Sequence, residues 1–187
     1  MKRAFSVIFV IMAVIFMAIP LSGTAEAARV AALPIQINEE KVERAADFTG
    51  YYWDVIINKF TYPDYELMDD EKVENQLPVE GLASFDQATL AGLADKLGAE
   101  IVVAMKLDNV SERPMTARSE PTVSTFMQGE FALYNRLTGK YYNRKIYHKG
   151  QIEEVLTLRT DWQQDVFGAE LKRCIYRAME EKKNKKK

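Results

Sequence analysis

Two residue types that carry much of protein chemistry are almost missing from this chain. Cys174 is the only cysteine and His148 is the only histidine among 187 residues. One cysteine cannot form an intramolecular disulfide, and one histidine cannot build a metal site from paired imidazoles. No Gly-x-Ser-x-Gly turn presents a serine, so a Ser-His-Asp triad would depend on His148 by tertiary contact alone. The sequence therefore predicts no catalytic residue, no metal and no cofactor.

Two short motifs come near to ligand sites without completing them. Tyr141 follows Gly139-Lys140, and no glycine precedes this pair at the spacing of a phosphate loop. We interpret it as a hairpin turn. The acidic run Asp69-Asp70-Glu71 lacks the alternating ligands and the glycine of a calcium loop, so we expect a helix cap there.

The chain also lacks an excess of charge of one sign. Its 25 basic and 27 acidic side chains give a formal net charge of −2 at pH 7. Such a balance provides no field to attract nucleic acid, and we expect no nucleic-acid partner. Residues 182–187 are the exception, because all but one are lysine. We interpret them as a disordered basic tail that either stays solvated or makes weak contact with anionic surfaces.

Residues 1–27 have the composition of an export signal. A basic start, Lys2-Arg3, precedes an apolar run over 4–19, and Ala25-Glu26-Ala27 has the small-x-small pattern at which signal peptidase cleaves. The run is shorter than the roughly 20 apolar residues of a membrane-spanning helix. We predict cleavage near Ala27, no stable membrane insertion afterwards, and a periplasmic or secreted protein. A retained membrane anchor is the alternative.

Residues 28–181 have the length and patterning of a single α/β domain. Apolar runs of strand length alternate with stretches of helical periodicity, which is typical of strands joined by helices. We predict strands over 29–37, 65–68 and 99–108, and helices over 40–60, 69–77 and 84–97.

The second half of the domain has a different pattern. Apolar residues alternate over 127–133, and after a turn at 136–140 a further strand is predicted over 141–148. Glu112–Thr122 contains two prolines and is predicted to be a loop. A last helix is predicted from a capping box at Thr160 to about Glu181. The order βα-βαα-βββ-α predicts one mixed sheet of about five strands packed with helices.

Three local features refine this prediction. Gly50 weakens the middle of the first helix and predicts a kink or break there. Ser84 and Gln87 have the spacing of a capping box. Cys174 lies in the amphipathic last helix, where we expect a small core residue, with an intermolecular disulfide as the alternative.

The order of these segments resembles a family of bacterial envelope domains. This family includes the periplasmic domain of the curli secretion channel, the lipoprotein activator of a penicillin-binding protein, and the N-terminal domain of the Tol–Pal propeller protein. The resemblance implies a binding or assembly domain without enzymatic activity in the cell envelope. The segments that carry it are Val30–Ile35, Tyr65–Asp70, Leu97–Val103 and Tyr134–Lys140.

The chain departs from this family at several points. It has no cysteine in its apolar N-terminal run for a lipid anchor, and no propeller follows the last predicted helix. The 112–122 loop is short and polar compared with the membrane-spanning hairpins of the curli channel. We therefore do not expect pore formation.

Tyrosine is plentiful, with nine copies, and aromatic residues with a polar tip often anchor interfaces. We predict that an envelope protein or a second copy of the chain binds at an exposed sheet edge, the 112–122 loop and nearby tyrosines. The candidate contact residues are Arg113, Met115, Arg118, Tyr134, Tyr141, Tyr142 and Tyr147.

Two other functions remain open from the sequence. A small-molecule or glycan binder would use an aromatic-lined cleft. A buried pocket lined by Tyr and Trp would favour that function, whereas a flat aromatic patch would favour a protein partner. A cell-wall hydrolase would need converging titratable groups, and the sequence predicts no such set.

Overall fold

The computed structural model describes residues 26–115, 122–153 and 161–180. These residues form one mixed sheet packed with helices, which confirms the predicted α/β fold. The export segment through residue 25, Thr160 and the tail at 182–187 lie outside the described residues, and the predictions made for them stay predictions. The strands are β1 (Ala28–Ala32), β2 (Gln36–Ile37), β3 (Tyr65–Leu67), β4 (Ile101–Met115), β5 (Thr122–Asn135) and β6 (Lys140–Glu153); the helices are α1 (Ala45–Lys59), α2 (Asp70–Glu74), α3 (Gln87–Leu97) and α4 (Asp161–Met179).

The sheet combines parallel and antiparallel pairing. Its order is β3-β1-β4-β5-β6, with the short β2 also paired to β4. β1 runs parallel to both β3 and β4, whereas β4, β5 and β6 form an antiparallel meander. β3 and β6 are therefore the two edges of the sheet.

Helices cover the two faces of the sheet and create two apolar cores. The larger core lies under α1 and α4, where Phe48 and Phe167 pack edge-to-face with ring centroids 5.4 Å apart. The smaller core lies under α2 and α3 and includes Leu90 and Leu93. Because β1 and the first half of β4 have helices on both sides, their sequences are almost continuously apolar.

Tyr52 fixes α1 to the sheet from inside the larger core. Its side chain is fully buried, and its hydroxyl donates a 2.9 Å hydrogen bond to the carbonyl oxygen of Leu33. Burial, and to a smaller extent the charge of Asp70, raises the pKa of this phenol far above its ordinary value. The hydrogen bond satisfies the backbone just before Pro34, where ladder pairing is interrupted.

A β-bulge interrupts the pairing of β4 with β5. Leu107 pairs with Gly129 and Asn109 pairs with Gln128, so Asp108 is one residue in excess. Leu107 and Val110 both contribute to the larger core, although they are three residues apart. A Cβ at residue 129 would lie 2.4 Å from the carbonyl oxygen of Lys106. Only glycine fits opposite the bulge without a shift of the backbone.

The strands around the predicted loop are longer than their sequences indicate. Residues 112–115 pair with 122–125 and continue the ladder of β4 and β5, so the predicted loop over 112–122 is wrong at both ends. β6 also extends to Glu153 rather than ending at His148. Polar side chains occur here because one sheet face is uncovered, and this hides the usual apolar signal of a strand.

Helix ends agree only partly with the sequence. Gly98 ends α3 with a φ of 65°, as predicted. The cap at the start of α3 is Asp86, whose side chain accepts a 2.9 Å hydrogen bond from the amide of Thr89. The predicted Ser84 box is wrong, because the Ser84 hydroxyl accepts from the amide of Asp86 instead.

Two further predictions concern helix interiors. α1 runs without interruption through Gly50, so the predicted break is wrong, and a kink there stays a prediction. Cys174 is fully buried in the larger core, which confirms its role as a small core residue. No helix in the described part of the chain is long and apolar enough to span a membrane.

Candidate functional site

Half of one sheet face has none of the described helices over it. The smaller core includes Val102 and Ala104 of β4, and among the described residues it takes none of β4 beyond Ala104. The strands nevertheless continue to Met115, Thr122 and Glu153. We call the uncovered surface the distal face. It is a shallow concavity of about 390 Å³ lined by Asn109, Ser111, Arg113, Ser124, Phe126, Tyr147 and Lys149.

Strand register brings the residues of the distal face together. Ser111, Phe126 and Lys149 lie opposite one another on β4, β5 and β6. Tyr147 lies two residues from Lys149, and its ring packs edge-to-face against Phe126 with centroids 5.3 Å apart. The Tyr147 side chain is 67% exposed. The sheet thus presents the Tyr147 ring to solvent beside the half-buried Phe126.

The charge on the distal face has one sign. Arg113 and Lys149 stand on the two strands that flank Phe126, and no acidic residue in the described part of the chain lines the concavity. Neither cation forms a salt bridge with another described residue. By contrast, the Lys106 ammonium nearby lies 3.2 Å from a carboxylate oxygen of Glu130.

Glu130 forms the near boundary of the distal face. Burial alone would raise the pKa of this carboxyl, but hydrogen bonds from Asn143 and Lys106 outweigh burial and hold the pKa below its ordinary value. The Asn143 amide donates to Glu130 over 2.7 Å. Glu130 is therefore already bound by Asn143 and Lys106. It forms no salt bridge with Arg113 or Lys149 of the distal face.

The opposite side of the same strands is held by the first turn of α4. Trp162 donates its indole N–H to Glu112 over 2.6 Å, and the Gln163 side chain donates to the same oxygen over 3.0 Å. The ring of His148 stacks on Trp162 with centroids 6.4 Å apart. This support keeps the long strands in place behind the distal face.

The predicted contact residues separate into three groups. Arg113 and Tyr147 both line the distal face. Arg118 lies outside the described residues, and of Met115 the backbone alone is described, as the end of β4. Their roles in binding stay predictions.

The three remaining tyrosines pack against the two cores. Tyr134 and Tyr141 lie against the smaller core, and the Tyr141 hydroxyl donates to the carbonyl oxygen of Phe85 over 2.6 Å. Tyr142 packs against the larger core beside Phe131. The fold therefore uses these three rings for packing, on surfaces apart from the distal face.

Sequence reasoning did not select Phe126 or Lys149. The predicted loop ended at Thr122 and the predicted strand began at Met127, which left Phe126 unassigned between them. Once residues 122–127 are known to form a strand, period-two alternation places Phe126 beside Ser124 on the uncovered face. That alternation was the signal available in the sequence.

A second concavity lies between the outer surfaces of α1 and α4. It measures about 290 Å³ and is lined by residues of mixed charge that include Asp54, Asp165 and Lys172. No group of three or more His, Cys, Asp or Glu side chains within the described ranges is arranged to hold a metal ion. The distal face is the surface on which aromatic exposure and charge of one sign coincide.

No protein-family model matches the chain. No curated protein matches it either. Some solved structures have a similar backbone trace. One is a homolog of neuraminyllactose-binding hemagglutinin from Helicobacter pylori, which has 14% sequence identity and a TM-score of 0.48, and the match covers 84% of this chain and 88% of that one. Lipoprotein GNA1162 from Neisseria meningitidis has 10% identity and a TM-score of 0.43 over 80% of this chain and 96% of that one.

The LpoB C-terminal domain from Escherichia coli is also similar, with 15% identity and a TM-score of 0.36 over 74% of this chain and 92% of that one. LpoB is a penicillin-binding-protein activator lipoprotein, so this member of the resemblance is found among the solved structures. Likeness to the curli channel and to the Tol–Pal protein stays a prediction. At these identities and TM-scores, the similar structures assign no function to the chain.

Proposed function

We propose that this chain is a non-enzymatic domain of the bacterial cell envelope that binds a protein partner through the distal face. The observation that carries the proposal is the exposed Tyr147 ring packed against the half-buried Phe126, between two cations on a sheet surface over which no described helix lies. The proposed location rests on the composition of residues 1–27.

The residue types of the distal face suit a protein interface. Tyrosine and arginine are enriched among the residues that contribute most to binding, and water exclusion around them strengthens each contact. Phe126, Tyr147 and Arg113 stand on neighbouring strands. Because the sheet already holds them, binding costs little backbone ordering.

A glycan-binding cleft has less support from the same surface. The distal concavity is open and is lined by one tyrosine and one phenylalanine, without a tryptophan. Both tryptophans, Trp53 and Trp162, pack with the larger core. An open patch of this kind favours a protein partner over an enclosed sugar.

Site-specific photocrosslinking in the producing cells tests the proposal. A photoreactive phenylalanine replaces Tyr147 in one variant and Lys172 in the control, since Lys172 is exposed on α4 in the second concavity. We expect one identified envelope protein, or a second copy of this chain, to crosslink reproducibly from residue 147 and not from residue 172. Equal products from both positions, or none from residue 147, would contradict the proposal.

A binding measurement with the identified partner gives a second check. We expect Tyr147→Ala and Phe126→Ala to weaken binding by about tenfold or more, as truncation of an interface anchor does. The unfolding midpoint of Tyr147→Ala should stay near that of the parent, because the side chain is largely exposed. Unchanged affinity in both variants would overturn the role of the distal face.

A further inference from the structure

We infer that the partner presents an extended acidic segment, which pairs with residues 140–150 at the edge of β6 and places carboxylates on the distal face. This inference rests on the proposed function and names the chemistry of the partner. Three features support it, namely the unpaired edge, the spacing of the exposed side chains and the sign of their charge.

The edge formed by β6 is long enough to receive another strand. β6 spans Lys140–Glu153, and within the described sheet its residues 140–150 pair with β5 alone. The other edge, β3, has only the three residues Tyr65–Leu67. An unpaired strand presents a row of backbone N–H and C=O groups, which an extended peptide can satisfy by strand addition.

Side chains at alternate positions of β6 point to the side of the distal face. Lys145, Tyr147 and Lys149 are all exposed and follow one another at the two-residue spacing of a strand. A strand added at this edge would place its own alternate side chains beside them. A partner strand that complements Lys145, Tyr147 and Lys149 has an acidic residue at position i, an apolar residue at i+2 and a second acidic residue at i+4.

Charge selects the acidic segment over other strands. Lys149 and Arg113 form no salt bridge with a described residue, and the described residues that line the concavity between them include no acidic one. A basic strand would bring like charges together, whereas carboxylates would complete the pairs. Edge lysines also oppose unwanted strand addition. The same side chains that reject a neutral or basic strand would therefore admit an acidic one.

The charge pattern also argues against a second copy as the occupant of this edge. Pairing β6 with the β6 of another copy would bring Lys145 and Lys149 against the same lysine-rich row. Pairing it with β3 would use only three residues. Neither arrangement uses the length and the charge of β6 together.

Peptide binding to the exported chain tests this inference directly. Labelled peptides of sequence Thr-Glu-Thr-Phe-Thr-Glu-Thr and Thr-Lys-Thr-Phe-Thr-Lys-Thr differ only in charge, and fluorescence anisotropy measures their affinities. We expect the glutamate peptide to bind at least about tenfold more tightly. We expect Lys149→Glu to abolish or reverse this preference, while the control Lys172→Glu leaves it unchanged. Equal affinities for the two peptides would overturn the inference.

Backbone pairing is tested separately by methylation of peptide nitrogens. In a strand pair only alternate residues direct their N–H groups toward the neighbouring strand. Two glutamate peptides are therefore methylated, one on odd-numbered and one on even-numbered amides. We expect one of them to lose binding. Retention of full affinity by both peptides would overturn pairing with the β6 edge.

The outcomes distinguish this inference from the proposed function. A partner crosslinked from residue 147, combined with failure of every acidic peptide, leaves the proposed function standing and overturns the acidic strand. Failure of both the crosslink and the peptides overturns both proposals. A concentration-dependent oligomer that dissociates in Lys149→Glu would make a second copy the occupant, and this too overturns the inference.

Discussion

Gly129 shows how a single backbone contact can determine a residue. The carbonyl oxygen of Lys106 lies only 2.4 Å from the position that a Cβ at residue 129 would take. Gly50, in the middle of α1, is the opposite case, since nothing lies within 4 Å of its added Cβ. The two glycines therefore respond in opposite directions to the same substitution.

We expect Gly129→Ala to lower the free energy of unfolding by about 1–3 kcal/mol, because the backbone opposite the bulge has to shift. Gly50→Ala is expected to raise it by about 0.5–1 kcal/mol, because alanine favours a helix and restricts the unfolded chain. Urea unfolding followed by circular dichroism measures both. Equal stability of Gly129→Ala and the parent would contradict the close approach.

Tyr52 carries a second prediction at this scale. Tyr52→Phe leaves the Leu33 carbonyl oxygen without its 2.9 Å hydrogen bond, and an unsatisfied buried acceptor costs about 1–3 kcal/mol. We expect a lower unfolding midpoint by calorimetry. Tyr147→Phe is the matched control, because its ring is exposed. A Tyr52→Phe midpoint equal to that of the control would contradict the role of this bond.

At the scale of elements, the start of α3 is the sharpest test. We expect Asp86→Ala to lower the thermal midpoint, since the amide of Thr89 loses its acceptor. Gln87→Ala should leave the midpoint nearly unchanged, because Asp86 caps α3 and the capping box predicted from the sequence is not formed. A larger effect from Gln87→Ala than from Asp86→Ala would restore that predicted box.

Apolar runs made the buried elements predictable, whereas polar strands were hidden. Residues 101–105 are apolar because helices cover both faces of the first part of β4, and the strand predicted over 99–108 was placed correctly there. Beyond the bulge, β4 alternates between the core-facing Val110 and the exposed Arg113. This pattern includes Pro114 and resembles a loop. Long-range pairing with β5, which local sequence does not encode, makes it a strand.

The cap of α3 shows the same limit at short range. Ser84 and Asp86 both carry an oxygen that can accept the first free amides of a helix. The spacing from Ser84 to Gln87 fits a capping box. The N-cap of α3 is nevertheless Asp86, two residues after Ser84. Two adjacent acceptors leave the boundary uncertain by a residue or two until tertiary packing selects one.

For the whole molecule, Glu100 links the middle of the sheet to the turn before β6. Its carboxylate accepts 2.8 Å and 3.2 Å hydrogen bonds from the backbone and guanidinium of Arg29, and it lies 3.7 Å from Arg136. Burial alone would raise the pKa of Glu100, but the hydrogen bonds from Arg29 outweigh burial and hold the pKa below its ordinary value of 4.5.

A carboxyl whose pKa is lower in the folded state stabilises the fold above its unfolded-state pKa. This contribution is lost as the pH falls through the lower, folded-state pKa. We therefore expect the free energy of unfolding to fall as the pH decreases below about 4.5. Glu100→Gln should be less stable than the parent at pH 7 and should lose less stability in acid.

Urea titrations at several pH values measure this difference. The exposed Glu74→Gln serves as the control, because Glu74 lies at the surface end of α2. If Glu100→Gln and Glu74→Gln show the same dependence on pH as the parent, the link from Glu100 to acid stability is wrong.

The candidate site was predictable from the sequence only in part. An excess of tyrosines and the polar segment near 112 led to Arg113 and Tyr147, which the sheet brings to one surface. The same reasoning selected Tyr141 and Tyr142, whose rings complete the packing of the two cores. Residue type alone does not reveal which tyrosine faces solvent, because that depends on register and on which sheet face a helix covers.

The extra residue at the bulge, Asp108, has a consequence for how this sequence can evolve. A chain without Asp108 would keep Val110 toward the helices and Arg113 outward, since strand alternation passes over the bulged residue. Without the bulge, the Lys106 carbonyl is expected to move away from residue 129. Gly129→Ala should therefore cost less stability in a chain that lacks Asp108, so loss of Asp108 favours a later side chain at 129. Substitutions at residues 108 and 129 are therefore expected to occur together during evolution.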